Sequence, residues 1–430
     1  MVKIIGGGLA GCEAAWQLAN AGIKSCIYEM KPHKFTPAHH YSGLAELVCS
    51  NSLKASRHDS AAGLLKEEME TLGSLIVPCA KANAVEAGGA LAVDRERFSD
   101  MVTEKIHSHP LIDVIDEEVE TIPEGPVIIA TGPLTAGGLA ENIRRMCGDY
   151  LSFFDAAAPI VTFESLDMDK VFFASRYDRG DADYINCPMN KEEYLAFYNA
   201  LITAESAPLK EFDKRDFKVY EGCMPVEVLA RRGEDTMRYG PLKPVGLTDK
   251  RTGKRPYAVV QLRKENAQGT MYNLVGFQTN LKFGEQKRVF SMITGLENAE
   301  FVRYGVMHRN SFIDSPKLLE PTYALKSNHD IFFAGQITGV EGYIESAASG
   351  IMAGINMARH LRNEEPLVLP AETMIGALTA YISGGCSGEF QPMGCNMGIL
   401  PDLPVRIKDK KAKYTAYADR AIEALNRTIK

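Results

Sequence analysis

A glycine motif near the start of the chain constrains the fold more than any other feature. Apolar residues 2–5 are followed by three glycines with GxGxxG spacing, and a helix-forming segment then leads to a second β-type run that ends at Glu29. Strand, glycine turn, helix and strand in this order predict a dinucleotide-binding βαβ unit. An acidic residue about twenty positions past the turn accepts hydrogen bonds from an adenosine ribose in such units.

Each glycine of the motif has its own physical role. The first allows a tight turn, the second lets a pyrophosphate approach the backbone, and the third brings helix close to strand. The phosphates lie against N–H groups at the positive end of the helix. The alternative is a glycine turn in another kind of α/β protein. The cofactor-binding residues predicted from this unit are Gly6, Gly7, Gly8, Leu9, Ala10, Gly11 and Glu29.

Two later segments have the composition of further cofactor-binding turns. GPVIIATGP ends in a strand-to-glycine exit, and IFFAGQITGVEGYIESAASG indicates a strand, a glycine turn and a helix rich in small residues. In FAD enzymes of the glutathione-reductase class, such a helix points its N-terminus at the flavin and the pyrophosphate. These segments predict one discontinuous FAD-binding domain, with further binding residues Gly132, Gly335, Gln336, Gly342 and Glu345.

Between these half-sites the pattern changes to short β-type runs with few helices. The runs include IVTFES, VFFASRY, DYINCPM, FKVYEGCMPVEVLARRG, RPYAVVQLRKE and MYNLVGFQT, with one helix predicted after a cap at Asn190. The predicted fold is therefore α/β: a glutathione-reductase-like FAD-binding Rossmann domain, discontinuous, with an inserted mixed α/β domain that is largely antiparallel. We expect the first part of the FAD-binding domain at 1–157, the inserted substrate domain at 158–324, and the second part with the C-terminal tail at 325–430.

The bulk composition is that of a soluble globular protein. Of 430 residues, 45% are hydrophobic and 24% are charged. No apolar run approaches the roughly 18 residues of a membrane span. The first strand begins at residue 2 and leaves no room for a signal peptide, so we expect a cytoplasmic protein. The nine cysteines include no CxxC pair, which predicts reduced thiols rather than a disulfide framework or a zinc site.

The net charge of −7 hides an uneven distribution. Residues 231–309 contain 15 Lys or Arg against 7 Asp or Glu, and residues 406–430 contain 8 against 3. These local charges of +8 and +5 leave −20 on the rest of the chain. Such segregation is typical of a phosphate-binding face on an acidic protein, although solvated charged faces without a partner would give the same count.

Several blocks of the sequence resemble one bacterial family. They cover nearly the whole chain and include AELVCSNSLKA, GGALAVDR, EGCMPVEV, GKRPYAVVQLR, GLENAEFVRYGVMHRN and FFAGQITGVEGYIESAASG. By these blocks the chain is similar to the TrmFO family, the folate- and FAD-dependent tRNA (uracil-5-)-methyltransferases. The C-terminal tail departs from the family pattern at Cys386 and Cys395, which leaves the role of that tail open.

The resemblance implies a reaction and its co-substrates. It implies methylation of uridine 54 in the tRNA T-loop, with 5,10-methylenetetrahydrofolate as carbon donor. Reduced FAD is the implied reductant and methylene carrier, and NADH or NADPH the implied source of its electrons. No membrane and no obligatory protein partner are indicated.

The resemblance also implies roles for two cysteines. Cys223 matches the family's nucleophile, whose thiolate adds to uracil C6 so that C5 becomes an enolate-like carbon. A free thiol is only a few per cent thiolate at pH 7. A helix opened by Pro225 would favour the thiolate, and Glu221 would oppose it. Cys49 matches the family's second cysteine, which lies beside the isoalloxazine ring.

Basic residues are expected to hold the RNA phosphates, and the target base must leave its stack to be methylated. The candidates are Arg231, Arg232, Lys250, Arg251, Lys254 and Arg255. A ribosomal-RNA uracil-5-methyltransferase on the same scaffold is one alternative. A small-molecule FAD and NAD(P)H oxidoreductase is another, although the sequence has no second complete GxGxxG for a resident nicotinamide nucleotide. A flavin-binding RNA scaffold without catalysis is the third.

Overall fold

The computed structural model describes residues 1–149, 151–156, 158–178, 181–207, 224–266, 268–305, 307–385 and 390–429. The strands in this part of the chain are β1 (Val2–Ile5), β2 (Ser25–Glu29), β3 (Ser52–Ala55), β4 (Ala84–Val85), β5 (Ala90–Val93), β6 (Ile112–Asp116), β7 (Val127–Ile129), β8 (Leu151–Ala156), β9 (Ile160–Thr162), β10 (Phe172–Phe173), β11 (Tyr184–Met189), β12 (Ala258–Lys264), β13 (Met271–Leu274), β14 (Phe301–Arg303), β15 (Met307–Phe312), β16 (Ala324–Leu325) and β17 (Asn328–Phe333). The α-helices are α1 (Leu9–Asn20), α2 (Ala61–Thr71), α3 (Ile76–Ala82), α4 (Arg95–His107), α5 (Gly137–Cys147), α6 (Lys191–Thr203), α7 (Val226–Ala230), α8 (Thr236–Tyr239), α9 (Phe283–Phe290), α10 (Ser315–Leu318), α11 (Tyr343–Leu361), α12 (Met374–Ala380) and α13 (Lys410–Thr428).

A six-stranded sheet contains the predicted dinucleotide-binding unit. Its order is β16-β17-β7-β1-β2-β6, and every neighbouring pair is parallel except the edge pair of β16 and β17. β1 and β7 are almost wholly buried, as expected of parallel strands covered on both faces. Because β17 pairs with β7 although a second sheet lies between them in the chain, the predicted discontinuous Rossmann domain is confirmed.

Glycines allow α11 to pack unusually close to α1. A Cβ atom at Gly350 would lie 2.7 Å from the Cα of Ala10, and one at Gly354 would lie 2.7 Å from the carbonyl oxygen of Ala14. Neither helix could move away without opening the core between them. The small residues predicted in this helix therefore bring the middle of α11 against the first half of α1.

The second sheet is antiparallel throughout, in the order β10-β11-β12-β13-β9-β14. One face packs against α6, α7 and α9 around a core that includes Val260, Leu262, Phe197 and Phe290. Asn190 caps α6 as predicted, in a capping box with Glu193. The inserted, largely antiparallel domain of the predicted fold is confirmed by this arrangement.

Between the two sheets the chain runs through a two-stranded ribbon of β8 and β15. After the ribbon, Ile313 and Leu319 pack with Ile5 and Phe333 beside the parallel sheet. The boundaries expected at 157/158 and 324/325 stay predictions.

The helix cap predicted at Asp94 agrees with the structure, whereas the strand predicted from one β-type run does not. Asp94 caps α4 by accepting a 3.2 Å hydrogen bond from the backbone N–H of Arg97. In the run 217–233, however, residues 226–230 form α7 rather than a strand. Pro225 stands at the N-cap with its φ fixed near −57°, which suits the first turn of a helix. Residues 217–223 of that run lie outside the described part of the chain.

Among the described residues, no helix is both long and apolar enough to cross a membrane.

Candidate cofactor and active site

The turn between β1 and α1 has the form that the glycine motif predicts. Gly6 has a φ of +102°, and a Cβ there would lie 2.6 Å from the carbonyl oxygen of Ala130. At Gly11 a Cβ would overlap the carbonyl oxygen of Gly6. These two positions therefore require glycine because the turn, β7 and α1 meet there without space for a side chain.

Gly8 is different, because a Cβ built there would meet no atom within 4 Å. Gly8 is the N-cap of α1, and no side chain caps the helix at this position. An anion can therefore reach the first turn of α1, where N–H groups and the helix dipole favour negative charge. Gly132, beyond the end of β7, has a φ of +71° and also has open space around it. The predicted pyrophosphate cradle fits a dinucleotide on this evidence.

Glu29 is 8% exposed at the end of β2. Its carboxylate accepts hydrogen bonds from the backbone N–H groups of Gly7 (2.8 Å) and Lys31 (3.0 Å). Each oxygen has a second lone pair, so a ribose hydroxyl can still donate to it. The acidic residue is thus held rigidly against the glycine turn, which is the position that the predicted ribose contact needs.

The turn before α11 forms the second predicted half-site. The backbone N–H of Gly335 donates to the hydroxyl of Ser349 (2.7 Å), and the amide of Gln336 donates to Glu341 (2.5 Å). A Cβ at Gly335 would lie 3.2 Å from the Cβ of Ala10, which belongs to α1. The two glycine turns are therefore neighbours in space, as the discontinuous domain requires.

Glu345, in the first turn of α11, is 1% exposed and makes contacts within the protein. Its Oε1 accepts hydrogen bonds from the ammonium of Lys54 (2.5 Å) and from the backbone N–H of Cys395 (2.9 Å). Burial alone would lower the pKa of Lys54, but the charge of Glu345 raises it above its usual value. The predicted binding residue thus anchors two segments from elsewhere in the chain at the start of α11.

Cys49 lies against the first residue of the same helix. The hydroxyl of Tyr343 accepts hydrogen bonds from the backbone N–H groups of Cys49 (2.7 Å) and Ser50 (3.2 Å), and it lies 3.0 Å from the Sγ of Cys49. Two donors occupy the two lone pairs of the hydroxyl, so its own proton points to the sulfur. Burial raises the pKa of Tyr343 well above its usual value, which keeps that proton in place.

Three arginines hold the segment 47–51, which we call the Cys49 loop. Arg95 donates to the carbonyl oxygen of Leu47 (2.8 Å) and Arg303 to that of Val48 (2.5 Å). Arg263 donates to the hydroxyl of Ser50 (3.0 Å) and the side-chain oxygen of Asn51 (3.1 Å). Burial lowers the pKa values of Arg263 and Arg303.

These arginines are not among the residues predicted from the sequence. Arg263 lies on β12 and Arg303 ends β14, so the inserted sheet supplies two of the three contacts. Isolated arginines within β-type runs give no motif, and only the folded sheet brings them to the loop. The Cys49 loop therefore lies where the two sheets meet, at the start of α11.

The remaining predicted residues fall into two groups. Cys223, Glu221 and Cys386 lie outside the described part of the chain, so their predicted roles stay predictions. Cys395 is half-buried, and burial together with the charge of Glu345 raises the pKa of its thiol well above the usual value. This thiol is protonated near neutral pH.

The predicted RNA-binding residues all lie in the segment between β11 and β12, two neighbouring strands of the antiparallel sheet. Arg251 forms an ion pair with Asp249 (2.8 Å) and donates to the carbonyl oxygen of Asp169 (2.6 Å), which fixes its loop. The side chains of Arg231, Arg232, Lys250, Lys254 and Arg255 are exposed. Their contact with RNA stays a prediction.

The fold and the two glycine turns define a dinucleotide-binding α/β protein with a second, antiparallel sheet over the start of α11. The family model for glucose inhibited division protein A matches residues 1–365. The structure is similar to that of Aquifex aeolicus GidA, with a TM-score of 0.72 and 17% identity over 99% of this chain and 73% of that one. At this identity the likeness shows the fold.

Curated relatives are more similar in sequence. Methylenetetrahydrofolate--tRNA-(uracil-5-)-methyltransferase TrmFO of Listeria innocua is 59% identical over 99% of this chain and 98% of its own length. The protein of the same name from Acetivibrio thermocellus is 60% identical over the whole of this chain and 98% of its own length. The chain belongs to the TrmFO family, which is a family of enzymes.

Proposed function

We propose that this protein methylates uracil C5 at position 54 of the tRNA T-loop. The proposed carbon donor is 5,10-methylenetetrahydrofolate, and NADH or NADPH supplies the electrons through FAD. The observation that carries the proposal is the identity of about 60% to curated TrmFO proteins over almost the whole of both chains. The Cys49 loop, held against the start of α11, supports it with a thiol at the predicted flavin site.

FAD fits the two glycine turns, and when bound it supplies the hydride and the one-carbon transfer chemistry of the reaction. Gly8 and the uncapped start of α1 leave room for the pyrophosphate. Glu29 is fixed for the ribose by two backbone N–H groups. Gly335, in the turn before α11, lies beside Ala10 of α1, and the start of α11 is the end that would face the isoalloxazine ring.

The proposed nucleophile is Cys223. Its thiolate forms a bond to uracil C6 and thereby makes C5 the nucleophile towards the one-carbon unit. The residues that follow it are well anchored. The backbone N–H of Val226 donates to the carbonyl oxygen of Gln278 (2.7 Å), and Glu227 accepts from Thr279 and Asn280 at 2.8 Å each.

Cys49 is proposed to act beside the flavin. The hydroxyl of Tyr343 lies 3.0 Å from its sulfur, and Arg303 donates to the neighbouring carbonyl oxygen of Val48. These contacts fix the Cys49 loop against the start of α11 and bring the guanidinium of Arg303 next to it. The substitution Cys49→Ala should therefore change the binding or the reduction of FAD more than it changes the affinity for RNA.

The test is transfer of labelled carbon from methylenetetrahydrofolate to an unmodified tRNA transcript in the presence of FAD and NADPH. A transcript with cytidine at position 54 is the matched control. Label in the first transcript and not in the second is the expected result, and Cys223→Ala should abolish it. Label in neither transcript, from a protein that binds FAD and oxidises NADPH, would contradict the proposal and favour a ribosomal-RNA target or a small-molecule oxidoreductase.

A further inference from the structure

A cavity of about 430 Å³ lies between the antiparallel sheet and the turn that joins β4 to β5. Its volume is in the range of pockets that hold small organic ligands or a single nucleotide. One wall comes from the part of the chain before the inserted sheet, and the other from the inserted sheet and its loops. The lining residues are Arg57, Gly88, Gly89, Ser175, Arg176, Tyr177, Tyr184 and Gln261.

The floor of the cavity is a fixed network of polar groups. Gln261 donates to the side-chain oxygen of Asn186 (2.9 Å) and accepts from the Nε of Arg176 (2.9 Å). The Nη1 of Arg176 donates to the carbonyl oxygens of Lys243 (2.6 Å) and Val245 (2.9 Å). Because these bonds fix the guanidinium before any ligand arrives, an anion would bind there without the entropy cost of ordering the side chain.

Tyr177 stands at the mouth of this cavity in an unusual backbone conformation. Its φ is +59°, a region that bulky residues rarely adopt, and 57% of the residue is exposed. Its backbone N–H donates to the carbonyl oxygen of Gly246 (2.8 Å), and a Cβ at Gly246 would lie 3.0 Å from the tyrosine ring. The chain thus holds a large aromatic ring at the surface in a strained conformation, a combination that is concentrated at binding sites.

The cavity adjoins the Cys49 loop. Gln261 and Arg263 are two residues apart on β12 and therefore share one face of the sheet. Arg263 is paired across the sheet with Tyr184, which lines the cavity, and it also donates to Ser50 of the loop. A ligand in the cavity would therefore lie next to the predicted reaction site without occupying it.

We propose that this cavity binds one nucleotide of the RNA substrate, a neighbour of the nucleotide that is methylated. The base stacks on Tyr177, and Arg57 and Arg176 contact its phosphate. Loop RNA is recognised in this way, by aromatic rings that stack splayed bases and by guanidinium groups on the backbone. The inference rests on the proposed function. It adds a site that fixes the register of the T-loop relative to the reacting sulfur.

Fluorescence anisotropy with a labelled T-arm stem-loop RNA tests the proposal, using the full-length protein loaded with FAD. Tyr177→Ala should weaken RNA affinity about tenfold, the effect of losing one base–aromatic stack. Tyr177→Phe keeps the ring and should bind within about twofold of the parent protein. Arg57→Gln should lower the slope of log affinity against log salt concentration by about 1. Tyr239→Ala is the matched control, since Tyr239 is 82% exposed and lies outside the cavity.

Each outcome separates this inference from the proposed function. Unchanged RNA affinity in Tyr177→Ala and Arg57→Gln, from an enzyme that still transfers labelled carbon, overturns the inference alone. The same holds if both substitutions leave RNA affinity intact and raise the KM for methylenetetrahydrofolate, since the cavity would then hold the carbon donor. A parent protein that transfers no labelled carbon to tRNA overturns the proposed function itself.

Discussion

The starts of α1 and α11 are both glycine turns beside a buried glutamate, yet they are built in opposite ways. At the start of α1 the carboxylate of Glu29 accepts hydrogen bonds from the backbone of Gly7 and Lys31, and Gly8 opens onto empty space. At the start of α11 the carboxylate of Glu345 binds Lys54 and the backbone of Cys395, and Tyr343 binds the Cys49 loop. One helix start leaves its N–H groups accessible to a ligand, and the other fixes distant chain segments.

This difference shows how one recurring motif serves two purposes. An anion needs free N–H groups and a backbone that a phosphate can approach, so a side chain at Gly8 would be harmful even though it meets no protein atom. A thiol with the role proposed for Cys49 needs a fixed position, and the first turn of α11 supplies hydrogen bonds to its loop. Substitutions at one helix start or the other should therefore have different effects on stability and on FAD binding.

The largest expected effect comes from Lys54→Met. This substitution leaves the buried carboxylate of Glu345 without its charged partner, and because Lys54 itself is 43% exposed we expect a cost of about 2.5 kcal/mol, below the range for a fully buried pair. Urea unfolding followed by circular dichroism should show the loss. Lys317→Met removes an exposed lysine paired with Asp314 and should leave the unfolding midpoint unchanged. Equal midpoints for the Lys54 variant and the parent protein would show that the start of α11 does not depend on this pair.

The glycine motif can be divided by two alanine substitutions. Gly11→Ala places a methyl group against the carbonyl of Gly6 and should destabilise the apoprotein by about 2 kcal/mol through overpacking. Gly8→Ala should leave apoprotein stability within about 0.5 kcal/mol, because nothing surrounds that position. Its effect should be a loss of FAD affinity of at least about tenfold, measured by flavin fluorescence. Full FAD affinity in Gly8→Ala would contradict the predicted pyrophosphate position.

Tyr343→Phe sharpens the comparison from the side of α11. It removes the acceptor of two backbone N–H groups and should destabilise the protein by about 1.5 kcal/mol. The Cys49 thiol should also become more reactive because its loop loses an anchor. Thermal unfolding and the rate of thiol alkylation measure the two effects separately, and Tyr239→Phe on the surface of α8 is the control.

Lys66 gives a smaller effect that depends on pH. Its ammonium donates to the carbonyl oxygens of Leu53 (2.6 Å) and Ala55 (2.8 Å), which flank Lys54, and burial lowers its pKa to about 8. The folded state therefore favours the neutral amine more than the unfolded chain does. This group's contribution to the free energy of unfolding should rise by about 1 kcal/mol from pH 8 to pH 9. The difference between the parent protein and Lys66→Met across that range isolates it, and a constant difference would contradict the shifted pKa.

Features of both sheets that are local in the chain could be predicted from the sequence because they depend on residues close together in the chain. The glycine turn, Glu29 and the caps at Asp94 and Asn190 are of this kind. The contacts of the Cys49 loop could not be predicted in the same way. Arg263 and Arg303 reach it from β12 and β14, and no sequence pattern marks a long-range side-chain contact of that sort.

The family resemblance assigned roles to Cys49 and Cys223, which local reasoning would have left in the core, and these roles stay predictions. It could not reveal what holds Cys49, because Tyr343 is an unremarkable residue in a helix until its hydroxyl is found beside the loop. The same limit applies to the cavity at Tyr177, which exists only where two distant parts of the chain meet.

The central claim is that the start of α1 holds the cofactor while the start of α11 holds Cys49 beside it. The most direct test is the rate at which iodoacetamide labels Cys49, measured by peptide mass spectrometry with and without FAD. Bound FAD should slow the labelling at least about tenfold, and Gly8→Ala should lose this protection at the same FAD concentration. Equal labelling rates in the apoprotein and in the fully FAD-loaded protein would contradict the account.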